Sequence, residues 1–381
     1  MNRIILYNPG RVVFGSDSLA QMAEDYLCSG LNRLYIVTVP SVLDQISPVL
    51  HSLTRSGISL RINTGIKTEP SFADFEGILS EAADFKADSI AGIGGGSIMD
   101  VAKLVAAFLH SNQQIRSAVG IGNVRHRKTH LICMPTTSGT GSEVSPNAIL
   151  MDTENNSKSG IVSPFLVPDR VYIDPSLTLS VPPSVTAYTG IDALTHCIEA
   201  YTNRFAHPMI DVLALEGIRL ITANLRIAFE HGENLDARSK VSLGSLYGGM
   251  CLGPVNTAAV HALAYPLGSE FKIAHGLANA LMLPYVMEFN LQATEIRYAE
   301  IALTMGVTSG KSDFDTAVMG IAFIRKLMND CNIPSHLTDV GIPAEALGSL
   351  ALSALMVQRL LKNNPKEISL NDAESIYKAA Y

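Results

Sequence analysis

The stretch Ser89–Lys103, SIAGIGGGSIMDVAK, decides the fold because glycines in it join a strand-like apolar run to a helical pattern. Ser89–Ile93 is short, apolar and followed by glycine, which is typical of a buried strand, and residues 98–110 are predicted to be helical. Glycines after a strand let backbone approach a ligand closely, and the next helix offers free N–H groups to phosphate. The stretch therefore predicts a strand–turn–helix unit that can receive a pyrophosphate. It is not a GxGxxG fingerprint, because Ser97 takes the last glycine position, and an ordinary turn also fits it.

Outward from this unit, the first half of the chain alternates strand and helix patterns. Such alternation predicts a parallel sheet with helices on its faces. Further strands are predicted at 33–38, 58–62, 130–134 and 171–173, and helices at 42–56 and 72–85.

Beyond Asp174-Pro175 strand patterns nearly cease, and the periodicity becomes helical. We place the boundary at Leu177–Pro183, which predicts an α/β domain over residues 1–180 and an all-α domain over residues 181–381. Helices in the second domain are predicted near 185–202, 209–230, 235–252, 279–289 and 314–331.

Composition limits the class of protein. The chain has 381 residues, of which 47% are hydrophobic and 17% charged, so it is long enough for two cores. A net charge of -7 without runs of Lys and Arg argues against nucleic acid as a partner. Met1–Phe14 lacks the pattern of a secretory signal, and no apolar run is long enough for a bilayer, so we expect no membrane association and a cytoplasmic location. The five cysteines show no paired spacing, which argues against disulfides and predicts that most of them are small buried side chains.

A second loop, Pro135–Glu143 (PTTSGTGSE), also follows a predicted strand. Ligands of open α/β sheets collect at the carboxyl ends of the strands, where the hydroxyls and glycines of this loop would lie. Alone, the loop is equally consistent with a solvated turn or a helix cap. Two such loops after two buried strands favour a nucleotide site.

Four residues of the helical half form a candidate metal site. Asp192 and His196 are four apart in a helical stretch and so share one face, although such a pair is also typical of a hydrogen-bonded surface pair. His261 and His275 stand beside small residues that leave room for a metal and a substrate, although each alone also fits a core histidine. One carboxylate and three imidazoles suffice to hold a divalent ion and leave one position open. Cys197 is rotated away from His196 and is predicted to pack in the core.

These motifs resemble, in identity, order and approximate spacing, those of the iron-containing (group III) alcohol dehydrogenases. The resemblance runs from Arg11–Gly15 through both loops and the helix GIDALTHCIEA to Asn364–Lys366 and the segment that ends at Ala380. It implies a Rossmann-like dinucleotide-binding domain followed by an all-α metal-binding and catalytic domain, as in dehydroquinate synthase-like architectures.

The resemblance also implies site residues and chemistry. Asp192, His196, His261 and His275 would be the metal ligands, for Fe²⁺ foremost and Zn²⁺ as the alternative. The implied reaction is hydride transfer between NAD or NADP and a small primary alcohol or its aldehyde, in a homodimer or larger homo-oligomer. The residues implied in cofactor binding are Gly95, Gly96, Ser97, Asp100, Thr136, Thr137, Thr140, Ser142 and Lys158.

Two positions depart from the family pattern. Many relatives carry an aspartate after the strand 33–38, where it can bind the adenosine ribose, but this chain has Val39 and, two residues later, Ser41. We therefore expect tolerance of NADP. Where many relatives have a second histidine four residues after His261, this chain has Tyr265. A phenol relays protons less readily than an imidazole at neutral pH, so Tyr265 either shapes the substrate pocket or packs as an ordinary aromatic.

Three alternatives stay open at this point. The same scaffold supports polyol or hydroxy-acid dehydrogenases and reductases. It also supports a lyase of the 3-dehydroquinate synthase type, which builds its metal site differently from an aspartate and three histidines. A non-catalytic protein that binds a nucleotide or a metal would bind ligands without any change in NAD(P)H absorbance.

Overall fold

The computed structural model describes residues 3–155 and 157–381, which form two compact units. The first unit contains Leu6–Thr137 and Gly141–Ser180. The second contains Val181–Tyr381, the short segment Ser138–Thr140 and the described residues 3–5. The chain thus passes from one unit to the other after Ser180, and the loop after β6 (His130–Pro135) contributes residues to both.

The first unit is built on a sheet of six strands, β1 (Arg11–Phe14), β2 (Arg33–Val37), β3 (Ser59–Asn63), β4 (Ser89–Gly94), β6 and β9 (Arg170–Ile173). They lie in the order β1-β9-β6-β4-β2-β3, with every pairing parallel. The predicted parallel sheet with flanking helices is thereby confirmed. The helices are α1 (Ser18–Leu27), α2 (Pro40–Arg55), α3 (Phe72–Asp84) and α4 (Gly96–Phe108).

Apolar side chains cover both faces of this sheet. On β2, Tyr35 and Val37 belong to one buried cluster, and Leu34 and Ile36 belong to the other. Successive residues of a strand point to opposite faces, so a continuous apolar run fills both cores. Because both faces of the sheet are covered, the central strands are continuous hydrophobic stretches in the sequence.

Glycines set the distance between β4 and α4. A Cβ at Gly94 would lie 2.8 Å from the Cβ of Ile98, and one at Gly92 would lie 2.7 Å from the Cβ of Ala102. Real Cβ atoms do not approach this closely, so these two glycines let the helix pack directly on its own strand. Part of the glycine run therefore serves packing rather than ligand approach.

A second, three-stranded sheet was not predicted from the sequence. It consists of β5 (Gly120–Ile121), β7 (Asn147–Asp152) and β8 (Ser157–Val162), in the order β5-β8-β7. β5 has two residues, and the β8 sequence SKSGIV is polar and contains glycine, so neither carries a hydrophobic strand pattern. Lys158, expected after a polar turn, lies on β8.

The second unit is helical, which confirms the predicted all-α architecture. Its helices are α5 (Pro183–Tyr201), α6 (Pro208–Glu230), α7 (Leu235–Leu252), α8 (Ala259–Phe271), α9 (His275–Asn290), α10 (Glu295–Thr304), α11 (Asp313–Asp330), α12 (Leu347–Leu355), α13 (Gln358–Leu361) and α14 (Leu370–Ala380). Within the described residues, no helix combines the length and apolar character needed to cross a membrane. Four of the five cysteines are buried, and Cys28 is exposed.

Helix α5 lies at the centre of this unit. Every residue from Gly190 to Tyr201 is buried, because α6, α7 and α9 all pack against the helix. A helix covered on all sides can hold polar side chains only where they find partners. Asp192 and His196 are such side chains, and their partners form the candidate site.

Candidate metal centre and nucleotide loops

Three helices bring the four predicted ligands together. Asp192 and His196 lie one turn apart on α5, His261 lies on α8, and His275 is the first residue of α9. From Asp192 Oδ1, the Nε2 atoms of His261 and His275 are each 3.6 Å away, and that of His196 is 3.9 Å away. The ligand atoms of Asp192, His261 and His275 all lie within 4.8 Å of one another, and Nε2 of His196 lies beside them, 3.0 Å from that of His261.

The two most buried imidazoles face each other through their Nε2 atoms. These atoms of His196 and His261 are 3.0 Å apart, and the rings are stacked with centroids 4.8 Å apart. Two nitrogen lone pairs at this distance repel each other unless a proton or a cation lies between them. This geometry fits a bound divalent ion, which would take the place of that proton.

Electrostatics favour an ionised carboxylate at the centre. Burial acts to raise the pKa of Asp192, but the three imidazoles outweigh burial and hold that pKa well below its ordinary value. Burial lowers the pKa of His196 to about 4, so its ring is neutral and able to bind a metal. The centre thus offers an anionic oxygen and neutral nitrogen, the donors that Fe²⁺ and Zn²⁺ both accept.

Glu199 completes the centre and was missed in the sequence. Its Oε2 lies 2.5 Å from Nδ1 of His261, and its Oε1 accepts the backbone N–H of Val260 at 2.6 Å. A carboxylate on Nδ1 fixes the tautomer of a metal-binding histidine and directs Nε2 towards the ion. Burial lowers the pKa of His261, but Glu199 and Asp192 outweigh burial and raise it to about 10. With Glu199 counted, two carboxylates balance a divalent ion.

Asn279 was also missed. It is fully buried on α9, one turn after His275, and its Nδ2 lies 2.6 Å from Asp192 Oδ1 and 3.1 Å from His261 Nε2. The amide thus donates to the Asp192 carboxylate and holds it in place. The rule that placed Asp192 beside His196, a spacing of four on a helix, also places Asn279 beside His275.

The glycine after His275 has a structural reason. A Cβ at Gly276 would lie 2.4 Å from the backbone oxygen of Tyr188 on α5. The amino-terminal turn of α9 therefore touches the α5 backbone directly, and this contact sets where His275 stands. The small residue beside this histidine makes room for a neighbouring helix.

We predict that Gly276→Ala weakens metal binding about 10- to 100-fold and costs about 1–3 kcal/mol of unfolding free energy, because only backbone movement can relieve the clash. Metal titration and denaturant unfolding measure both effects. The matched control is Gly348→Ala on α12, where a Cβ meets nothing within 4 Å. Equal metal affinity and equal unfolding free energy in the two variants would show that the contact with Tyr188 does not position His275.

Tyr265 lies on α8, one turn after His261, and is half-buried. Its ring centroid is 6.1 Å from that of His275, and its hydroxyl accepts a hydrogen bond of 3.1 Å from Nη2 of Arg359. The departure from the family pattern therefore brings a phenol, and with it a guanidinium, to the edge of the candidate centre.

In the first unit, the glycine run forms the start of α4. Gly95 precedes the helix, no side chain caps its first turn, and a Cβ at Gly95 would come no closer than 3.5 Å to Thr137. The free N–H groups of Gly96 and Ser97 are thus open to a phosphate. Thr136 is buried at the end of β6, and its N–H binds the Gly94 carbonyl at 3.0 Å. Thr140 belongs to the segment counted with the second unit.

Other residues predicted in cofactor binding have protein partners. Ser142 Oγ donates to Asp100 Oδ1 at 2.5 Å, and the N–H of Ile149 donates to Asp100 Oδ2 at 2.9 Å. Lys158 forms an ion pair with Glu69. In the described structure these side chains organise the loops, and their contact with a cofactor stays a prediction.

The residues that follow β2 include Val39 and Ser41, where many relatives carry an aspartate. Val39 is the half-buried residue before α2, and Ser41 is exposed in the first turn of that helix. Neither brings a carboxylate to the end of β2. Thr38 is turned inward, where its hydroxyl donates to the Ile93 carbonyl at 2.7 Å.

A sheet unit with open phosphate loops and a helical unit with an Asp-and-three-His centre define a class, the metal-dependent dehydrogenases that use a dinucleotide. Comparison with known proteins agrees. The sequence profile described as iron-containing alcohol dehydrogenase matches residues 9–175, and that described as Fe-containing alcohol dehydrogenase family, C-terminal, matches residues 186–381. The chain belongs to the iron-containing alcohol dehydrogenase family. It is an oxidoreductase that interconverts alcohols and aldehydes with a divalent metal and NAD.

Individual relatives span the whole chain. A long-chain-alcohol dehydrogenase 1 from Geobacillus thermodenitrificans (strain NG80-2) is 36% identical, over 97% of this chain and 96% of its own. An alcohol dehydrogenase structure from Oenococcus oeni has a TM-score of 0.96 and 30% identity, with both chains covered completely. A sulfoacetaldehyde reductase from Bifidobacterium kashiwanohense, solved in complex with NAD⁺, has a TM-score of 0.88 and 27% identity, over 100% of this chain and 99% of its own.

Proposed function

We propose that Asp192, His196, His261 and His275 hold the metal of a reductase that converts a small aldehyde to its primary alcohol, or the reverse. The observation that carries this proposal is the convergence of Asp192 Oδ1 with three histidine Nε2 atoms, at 3.6 to 3.9 Å from that oxygen. When bound, the metal polarises the substrate oxygen and the nicotinamide supplies or accepts the hydride.

The side chains around the centre have distinct roles in this proposal. Glu199 holds His261 in the tautomer that presents Nε2, and Asn279 orients the Asp192 carboxylate through its 2.6 Å hydrogen bond. His275 is the most exposed of the four ligands, with 28% of its side chain accessible, so the open side of the centre lies there. Substrate oxygen would enter beside His275 and the Tyr265 ring.

For the cofactor, we infer that Gly95, Gly96 and Ser97 bind the pyrophosphate at the amino terminus of α4. Support comes from the uncapped first turn and from the space beside Gly95. No acidic side chain follows β2 to repel a 2′-phosphate, because Val39 and Ser41 occupy that stretch. The enzyme therefore accepts NADP as well as NAD.

A panel of short aldehydes and alcohols tests this function. With Fe²⁺- or Zn²⁺-loaded protein, we expect aldehyde-dependent loss of NADH and NADPH absorbance, with catalytic efficiencies for the two cofactors within about tenfold, or ~1.4 kcal/mol. A strong preference for NAD would contradict the cofactor proposal. Cofactor binding without turnover of any aldehyde would contradict the reductase.

The cytoplasmic location and the homo-oligomeric state stay predictions. Fractionation of the producing cells would test the first, and light scattering of the purified protein would test the second.

A further inference from the structure

Arg359 differs from the other half-buried arginines of the second unit. Arg297 forms two hydrogen bonds with the Asp211 carboxylate, at 2.9 and 3.1 Å, and Arg325 donates to Glu288 at 2.9 Å. Arg359, on α13, is half-buried as well, but among the described residues no carboxylate lies within 4.0 Å of its guanidinium. Within the described part of the chain, no ion pair therefore matches its charge.

The acceptor found for this guanidinium is neutral. Nη2 of Arg359 donates to the Tyr265 hydroxyl at 3.1 Å, and Cζ lies 5.9 Å from the centroid of the Tyr265 ring. A guanidinium carries five N–H donors in a planar fork, so this bond leaves donors for another acceptor. Removing a charge from water without an opposite charge is costly, which makes the position selective for an anion.

Tyr265 connects this cation with the metal centre. Its ring lies 6.1 Å from that of His275, the most exposed ligand, while its hydroxyl holds Arg359. The guanidinium is therefore one tyrosine side chain away from the place where a carbonyl oxygen would bind. Cζ of Arg359 lies 5.9 Å from the Tyr265 ring centroid, which lies 6.1 Å from the His275 ring centroid.

We propose that Arg359, oriented by Tyr265, binds the negatively charged end of the substrate, which is therefore a short aldehyde, or its alcohol, with a terminal carboxylate or sulfonate. Both groups accept two parallel N–H bonds from a guanidinium. In the forward reaction a hydride from NAD(P)H adds to the carbonyl carbon, a proton adds to its oxygen, and the anionic group is unchanged. This inference rests on the reductase activity proposed above and specifies its substrate class.

The test compares charged and uncharged aldehydes. For the wild type, catalytic efficiency should be higher with succinic semialdehyde and sulfoacetaldehyde than with butanal and propanal. Arg359→Met should lower efficiency with the two anions about 10- to 100-fold and leave the neutral aldehydes within about threefold. Tyr265→Phe, which removes the acceptor that orients the guanidinium, should weaken the same preference. The control is Arg226→Met, at an exposed arginine of α6 that pairs with Glu230. This variant should leave catalytic efficiency unchanged with both the anionic and the neutral aldehydes.

A binding measurement separates recognition from turnover. Ethanesulfonate and butanoate, which cannot be reduced, should bind the wild type and lose affinity by a similar factor in Arg359→Met, as measured by calorimetry. Equal losses for anionic and neutral aldehydes, or unchanged binding of both anions, would contradict the inference and leave the reductase intact. If no aldehyde of either kind were reduced, the proposed function itself would fail.

Discussion

Asp192→Ala is expected to lose bound metal and turnover together. In the proposed ligand set Asp192 supplies the anionic oxygen, and the variant leaves three imidazoles without it. Polarisation by a metal stabilises the transition state by several kcal/mol, so we expect turnover to fall by about 10³-fold or more. Metal analysis of the purified variant, alongside steady-state rates, measures both losses.

The control for this variant is Asp236→Ala. Asp236 is an exposed aspartate in the same unit, on α7, paired with Lys240 at 2.6 Å. An exposed pair of this kind contributes about 0–1 kcal/mol, so metal content and rate should be unchanged. Full metal occupancy in Asp192→Ala would overturn the ligand assignment.

Lys103→Met is expected to have the second large effect. The Lys103 ammonium is fully buried on α4, where it donates to Ser142 Oγ at 2.7 Å and lies 3.3 Å from Asp100 Oδ1. The backbone oxygens of Ser142, Ser145 and Asn147 also surround the ammonium and share its three N–H donors with Ser142 Oγ. Removal leaves a carboxylate and several carbonyls without their cation. Breaking a buried charge pair in this way costs about 3–5 kcal/mol.

Nucleotide binding should fall with stability in Lys103→Met, because Lys103 fixes the loop after β6 against α4. Denaturant unfolding gives the free energy, and calorimetry with NAD gives the affinity. Lys67→Met, at an exposed lysine of the same unit, provides the comparison and should behave as the wild type. Wild-type stability in Lys103→Met would show that the buried network does not hold the loop.

The fold was largely predictable because its signals are local. The runs around Ile36, Ile90 and Ile132 are too short for helices and bounded by turn residues, and each forms a central strand. The small sheet was not predictable, since β8 pairs through backbone hydrogen bonds that a polar sequence such as SKSGIV does not indicate. Likewise, the roles of Gly92 and Gly94 depend on how closely α4 packs, which spacing alone does not give.

The site was predictable as far as residue type and helical spacing allow. Asp192 and His196 share a helix, but their meeting with His261 depends on how α5 and α8 pack. Glu199 and Asn279 occupy helical positions that a search of the same faces would have found, three residues after His196 and four after His275. Arg359 could not be found in this way, because 94 residues of chain separate it from Tyr265.

The most direct test of the metal-centre assignment is reconstitution of the metal-free protein. Chelator-treated wild type should be inactive in NAD(P)H-dependent aldehyde reduction. Titration with Fe²⁺ or Zn²⁺ should restore turnover in proportion to bound metal and reach a plateau at one ion per chain. Full activity of the metal-free protein, or one-to-one binding that restores no turnover, would contradict a catalytic metal held by Asp192 and the three histidines.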